Sequence, residues 1–117
     1  MSTVLNKLVY LANQAESSVS QDDSNDLWRQ VLDFAEETPI VFREPLTPYI
    51  LAYAFYKLVK VEPDALLKAK AYIHLAVTLN DFDELVIFRP LETIDDNLMK
   101  KIIELKRKLY SPLLENV

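Results

Sequence analysis

Thr47-Pro48-Tyr49-Ile50-Leu51-Ala52-Tyr53-Ala54-Phe55-Tyr56-Lys57-Leu58-Val59-Lys60-Val61-Glu62-Pro63 is the stretch on which the fold turns. Between Tyr49 and Val61 eleven of thirteen residues are apolar or aromatic, and only Lys57 and Lys60 are charged. A helix hydrophobic nearly all round belongs at the centre of a helical domain, because each of its faces must find cover. Thr47 reads as its N-cap and Pro48 as its first residue, where the missing N–H loses no hydrogen bond. Pro63 closes it, since the residue before a proline avoids the α region. The segment is too short and too charged to span a bilayer.

Outward from this helix, apolar residues recur with a helical period of about 3.6. Thr3 to Glu16 places Val4, Leu5, Leu8, Val9, Leu11, Ala12 and Ala15 on one face. Ser17 to Asp23 reads as a polar connector, and a second helix is expected from near Ser24 to Glu37, with Leu27, Trp28, Val31, Leu32, Phe34 and Ala35 inward. Asp22, Asp23 and Asp26 suit a helix N-terminus, where the dipole favours negative charge. A fourth helix is expected over Asp64 to Leu79, ended by an Asn80-Asp81 turn in which asparagine stands in for glycine. A short apolar stretch follows over Phe82 to Phe88. The fifth helix, Ile94 to Leu109, opens on the capping-box pattern Thr93-x-x-Asp96 and closes on Lys106, Arg107 and Lys108.

The chain has 117 residues without a single glycine or cysteine. Tight hairpins, phosphate loops and nucleophile elbows rely on glycine's conformational range, so β architectures and glycine-dependent catalytic motifs are disfavoured together. The expected fold is all-α: one domain over 1–117, a compact bundle of five to six helices built from helical hairpins. Absent cysteines rule out disulfides and thiolate metal sites. No cationic, apolar leader opens the sequence, and the expected location is the cytoplasm.

Two segments echo each other and point to a two-fold internal repeat. Val41-Phe42-Arg43-Glu44-Pro45-Leu46-Thr47 is echoed by Ile87-Phe88-Arg89-Pro90-Leu91-Glu92-Thr93, with Phe42 and Phe88 46 residues apart. Periods of about 40–47 residues resemble those of HEAT and armadillo repeats. Lys60 to Leu85 is similar to a tetratricopeptide hairpin, with Val61-Glu62-Pro63-Asp64-Ala65 as the turn between repeats and Asn80-Asp81-Phe82-Asp83-Glu84-Leu85 as the turn within one. Ile73, where a small residue is usual, and Pro90 depart from that pattern. What the resemblance implies is helical-hairpin geometry and no binding residue.

Few residues offer chemistry. His74 is the only histidine, and no carboxylate stands three or four residues from it, so it reads as a core or boundary residue. Asn80-Asp81-Phe82-Asp83-Glu84 lacks the alternation, central glycine and distal glutamate of a calcium loop. No cofactor or metal site is expected, and no catalytic one. Lys100, Lys101, Lys106, Arg107 and Lys108 read as a solvated face that complements the dipole of the last helix.

The positive signal is a stripe. Tyr49, Tyr53, Tyr56 and Lys60 stand at i, i+4, i+7 and i+11, and tyrosine, apolar in body and polar at its tip, suits a surface that is dry when bound and wet when free. Net charge is −5 and unevenly placed, with eight acids against three bases over residues 1–48 and six against Arg89 over residues 80–99. Such a protein is a poor nucleic-acid binder by bulk electrostatics and attracts a basic partner. The expected function is therefore non-enzymatic protein–protein binding, in its most specific form a small acidic immunity or antitoxin-type inhibitor of a basic toxin. The candidate contact residues are Tyr49, Tyr53, Tyr56, Lys60, Asp81, Asp83, Glu84, Asp95 and Asp96. The alternatives are a helical-repeat adaptor or secretion chaperone, which would use a concave groove, and a nucleic-acid-associated regulator using the basic last helix.

Overall fold

The structure, a computed structural model, describes the backbone of residues 3–40, 45–85 and 96–111 and the side chains of residues 4–40, 45–79 and 98–111. Among these residues it is all-α, with five helices: α1 Thr3–Ser17, α2 Gln21–Glu37, α3 Leu46–Lys57, α4 Ala65–Leu85 and α5 Asp96–Leu109. α3 packs on all four of the others, most extensively on α4, while α1 pairs with α2 and α4 with α5. The all-round apolar helix is thus the central one.

Helix ends were the least legible features. α2 begins three residues before the expected Ser24, because Ser20 takes the cap in extended conformation and its Oγ accepts from the Asp23 N–H at 3.5 Å. That leaves Ser24 inside the first turn, where its hydroxyl donates to the Ala15 carbonyl at 3.3 Å and ties the end of α1 to the start of α2. Replacing Ser20 with alanine is expected to lower stability by about 0.5–1 kcal/mol, in keeping with a long cap bond. Equilibrium urea unfolding would register this as a lower midpoint at unchanged m-value.

α3 starts earlier than the Thr47 cap predicts. Pro45 occupies the N-cap position, and Thr47 lies inside the first turn, buried beside Pro48. The first intrahelical bond runs from Tyr49 N–H to the Pro45 carbonyl at 3.1 Å. Pro48 therefore sits at the last position whose N–H has no intrahelical partner. α3 also stops sooner, at Lys57, where Leu58 and Val59 donate to carbonyls three residues back and tighten the final turn. The chain then reverses over Leu58 to Asp64 into α4, so the expected turn at Val61-Glu62-Pro63-Asp64-Ala65 is present.

The expected turn at Asn80-Asp81 is not. α4 runs through both residues to Leu85, since a mid-helix asparagine costs only about 0.7 kcal/mol relative to alanine. No glycine breaks the chain there, and the next proline is Pro90. The tetratricopeptide-like turn at Asn80–Leu85 is accordingly helix. The echo segments and the Thr93 capping box fall largely on 41–44 and 86–95, outside the described residues.

Two apolar clusters share α3. One joins Leu8, Leu11 and Ala15 of α1, Trp28 and Val31 of α2, and Ile50, Leu51, Ala54 and Leu58. The other joins Ala52 to Ala69, Ile73 and Ala76 of α4 and Ile102, Leu105 and Leu109 of α5. Tyr49, Tyr53, Phe55 and Tyr72 touch both clusters. No helix of the described residues is long and apolar enough to cross a membrane.

Candidate functional site

α1 and α5 each lie against α3, one in each cluster, and the seam between them is an open groove of about 490 Å3. Its floor is Trp28, Leu46, Tyr49, Ile50 and Tyr53; Val9, Ala12 and Glu16 form the α1 wall, and Lys101, Glu104, Leu105 and Lys108 the α5 wall. The groove exists because Tyr49 and Tyr53 fall on one side of α3, at i and i+4, and half-bury there between the clusters. Their ring centroids stand 6.1 Å apart, and Trp28 meets the Tyr53 ring edge-on at 5.3 Å.

The other two members of the stripe diverge from it. Tyr56 continues the aromatic row, 6.1 Å from Tyr53, yet it packs against the second cluster and does not line the groove. Lys60 is off the helix altogether: α3 ends at Lys57, so the i+11 spacing no longer sets its direction, and it is exposed in the turn. The acidic candidates cannot be set beside the groove. Asp81, Asp83 and Glu84 belong to the last turns of α4 and Asp96 opens α5, but their side chains lie outside the described residues, as does Asp95 entirely.

Glu16 and Glu104, which sequence reasoning passed over, complete the site together with Trp28, read as an inward residue, and Lys108, read as part of a solvated basic face. Tyr53 donates its hydroxyl to the Glu16 carboxylate at 3.2 Å, a contact between residues 37 positions apart. Lys108 pairs with Glu104 at 3.5 Å and reaches over the Tyr56 ring, while Lys57 lies 5.3 Å from the Tyr53 ring centre. Nothing local in the sequence marks Glu16 or Glu104, which stand on polar helix faces like many other acids.

Burial, then the Glu104 and Glu16 carboxylates, push the Tyr49 phenol up to about 12. Burial also raises Tyr53, reinforced by the charge and hydrogen bond of Glu16. Both phenols therefore stay neutral near pH 7, offering aromatic faces and hydroxyl donors rather than a nucleophile or base. With folded pKa values above the ordinary value near 10, these groups support the fold fully below pH ~10 and lose that support as pH rises toward ~12. In an alkaline series, stability is expected to fall across that window, and the Tyr49→Phe/Tyr53→Phe variant to fall less steeply. A phenolate absorbance titration should show the corresponding pair of late-titrating tyrosines.

His74 is exposed on α4 and hydrogen-bonds through Nε2 to the Tyr110 hydroxyl, with the rings edge-on at 5.7 Å. Lys70 lies 4.9 Å from the same tyrosine ring. This contact pins the end of α5 to α4. Among the described residues no group of three histidine, cysteine, aspartate or glutamate side chains is placed to hold a metal ion. No family model matches the chain, and no curated protein or solved structure is significantly similar to it.

Proposed function

We propose that this chain is a non-enzymatic protein-binding module that seats a short segment of another protein in the groove between α1 and α5. The observation that carries the reading is the floor: two half-buried, neutral tyrosines and a tryptophan, recessed between two helices and rimmed by Glu16, Glu104, Lys101 and Lys108. Recognition sites concentrate aromatic side chains in such places, because they contribute large contact area with few rotors and keep a polar tip for hydrogen bonding. A concave floor suits an adaptor or chaperone that grips a segment. The acidic balance of the chain favours partners that carry positive charge.

A second reading is favoured by one specific feature. All six carboxylates of α2, Asp22, Asp23, Asp26, Asp33, Glu36 and Glu37, are exposed, against Arg29 as its sole base. That acidic helix would suit an immunity-type inhibitor covering a basic, folded toxin.

A photo-reactive benzoyl-phenylalanine placed at Tyr49, with one at exposed Leu67 on α4 as control, separates the two in cells that produce the protein. Mass spectrometry of the adduct should map cross-links from Tyr49 to one contiguous stretch of a partner, with none from Leu67. Equal labelling from both positions, or no adduct at Tyr49, would sink the groove reading. Adducts formed only from probes on α2 would transfer the function to the acidic face.

A further inference from the structure

On the opposite side of α3 a second and larger groove runs between α2 and α4, with a volume of about 810 Å3. Its floor is apolar: Leu32, Ile40, Leu51, Phe55 and Tyr72 all line it, and Phe55 and Tyr72 stack at 5.8 Å with their planes 8° apart. Its rim is acidic, since Asp33 and Glu36 on the α2 side face Glu62 and Asp64 on the α4 side, against Arg29 and Lys68.

Both cations are already engaged. Arg29 Nε donates to Glu62 Oε1 at 2.9 Å, bridging α2 to the turn before α4, and its other arm lies 3.6 Å from Asp26. Lys68 sits 5.6 Å from the Phe55 ring centre, over its face. Among the described residues Asp33, Glu36 and Asp64 form no ion pair. The rim therefore keeps three uncompensated carboxylates above an apolar floor.

We propose that this groove docks a basic amphipathic helix of a partner protein, with apolar side chains on Phe55 and Tyr72 and lysines or arginines against Asp33, Glu36 and Asp64. A helix laid in a groove presents apolar residues at i, i+3, i+4 and i+7 along one face, and flanking cations then stand over both acidic edges. Charge complementarity selects this occupant over the rivals. Nucleic acid would bring phosphates against the carboxylates, and an acidic helix would be repelled. The Arg29–Glu62 bridge already shows the pairing that the rim accepts, with a guanidinium of the chain itself held across the two walls. Arg29 thereby competes with a partner cation for Glu62. This site is separate from the tyrosine groove and its test does not depend on that reading.

The probe is a fluorescent leucine–lysine helical peptide, with a leucine–glutamate peptide of identical apolar pattern as its counterpart, read by anisotropy against the full chain. The lysine peptide should bind, more weakly as salt rises, and the glutamate peptide should not. The Asp33→Asn/Glu36→Gln/Asp64→Asn variant should lose about tenfold or more in affinity, the sum of several partly screened pairs. Neutralising three carboxylates away from the groove, with Asp22→Asn/Asp23→Asn/Glu37→Gln, should change affinity less than about twofold on the same scale. Ala71→Arg, at an exposed groove-lining position on α4, should block the peptide, and Arg29→Gln should strengthen it by releasing Glu62. Lys101→Gln/Glu104→Gln, at the rim of the tyrosine groove, should leave this binding unchanged whatever it does to the other groove's function. Equal loss from the two neutralised variants, full binding by Ala71→Arg, or equal binding of both peptides would overturn the proposal. Circular dichroism of each variant confirms that any loss is not unfolding.

Discussion

Replacing Trp28 with alanine is expected to lower the free energy of unfolding by about 4 kcal/mol, a large fraction of the stability of a domain this size. Trp28 is only 2 % exposed and is the largest fully buried side chain. It stands in the cluster that joins α1, α2 and α3, with Tyr53 edge-on against it. Its loss would leave a cavity that three helices would have to collapse together to fill. The indole Nε1 is buried without a hydrogen-bond partner among the described residues, and an unpaired buried donor costs about 1–3 kcal/mol. Trp28→Phe removes that donor while keeping a ring against Tyr53, so it should lose less than half as much as the alanine variant. Urea unfolding followed by far-ultraviolet circular dichroism reads both, since the intrinsic tryptophan signal is gone. A loss below about 1 kcal/mol for Trp28→Ala would mean that the residue is not the centre of that cluster.

The second large effect lies at the seam of α3 and α4. Ala52, Ala69 and Ala76 are completely buried there, beside Ile73. With no glycine in the chain, alanine is the smallest side chain available to let two helices approach. Ala52→Leu adds three carbons to a packed interface on the central helix and should cost about 2–3 kcal/mol by forcing side chains off their rotamers or the helices apart. Ala71→Leu, on the exposed face of α4, is the matched control and should be near neutral, because leucine and alanine are both good helix formers. Thermal melts of the pair would reveal a lowered midpoint in the first alone. If the two behaved alike, the close approach at Ala52 would be wrong.

The same residues show how far the sequence could be read. The apolar stretch from Tyr49 to Val61 marks α3 as central because no face of it can be left wet, and the structure packs α3 on all its neighbours. Amphipathic stripes such as Leu8, Leu11 and Ala15, or Ile102, Leu105 and Leu109, point inward as their spacing requires. Local signals mislead where several compete. Ser17, Ser18, Ser20 and Ser24 are all able N-caps, and only the hairpin with α1 decides for Ser20. Asn80-Asp81 carries a turn signal, but helix propensity differences are tenths of a kcal/mol, too small to end a helix that no glycine or proline interrupts before Pro90. Thr47 reads as a cap until its burial shows that it faces the core.

The site was legible only in half. Tyr49 and Tyr53 are marked by their spacing, whereas Glu16, Trp28 and Glu104 reach them through contacts between different helices. Whether a tyrosine stripe lies under a neighbour or floors a groove depends on how far apart α1 and α5 settle on α3. No local pattern encodes that distance. The acid-rimmed groove has the same origin, since Arg29 and Glu62 are 33 residues apart.

The central claim is that the tyrosine floor between α1 and α5 holds a segment of another protein. Fluorine NMR of the chain labelled with 3-fluorotyrosine, titrated with a synthetic copy of the segment cross-linked from Tyr49, tests it most directly. The resonances of Tyr49 and Tyr53, assigned by their phenylalanine variants, should shift or broaden together at stoichiometric peptide, while those of exposed Tyr10 and Tyr110 stay in place. Unmoved Tyr49 and Tyr53 resonances beside a bound peptide would contradict the account.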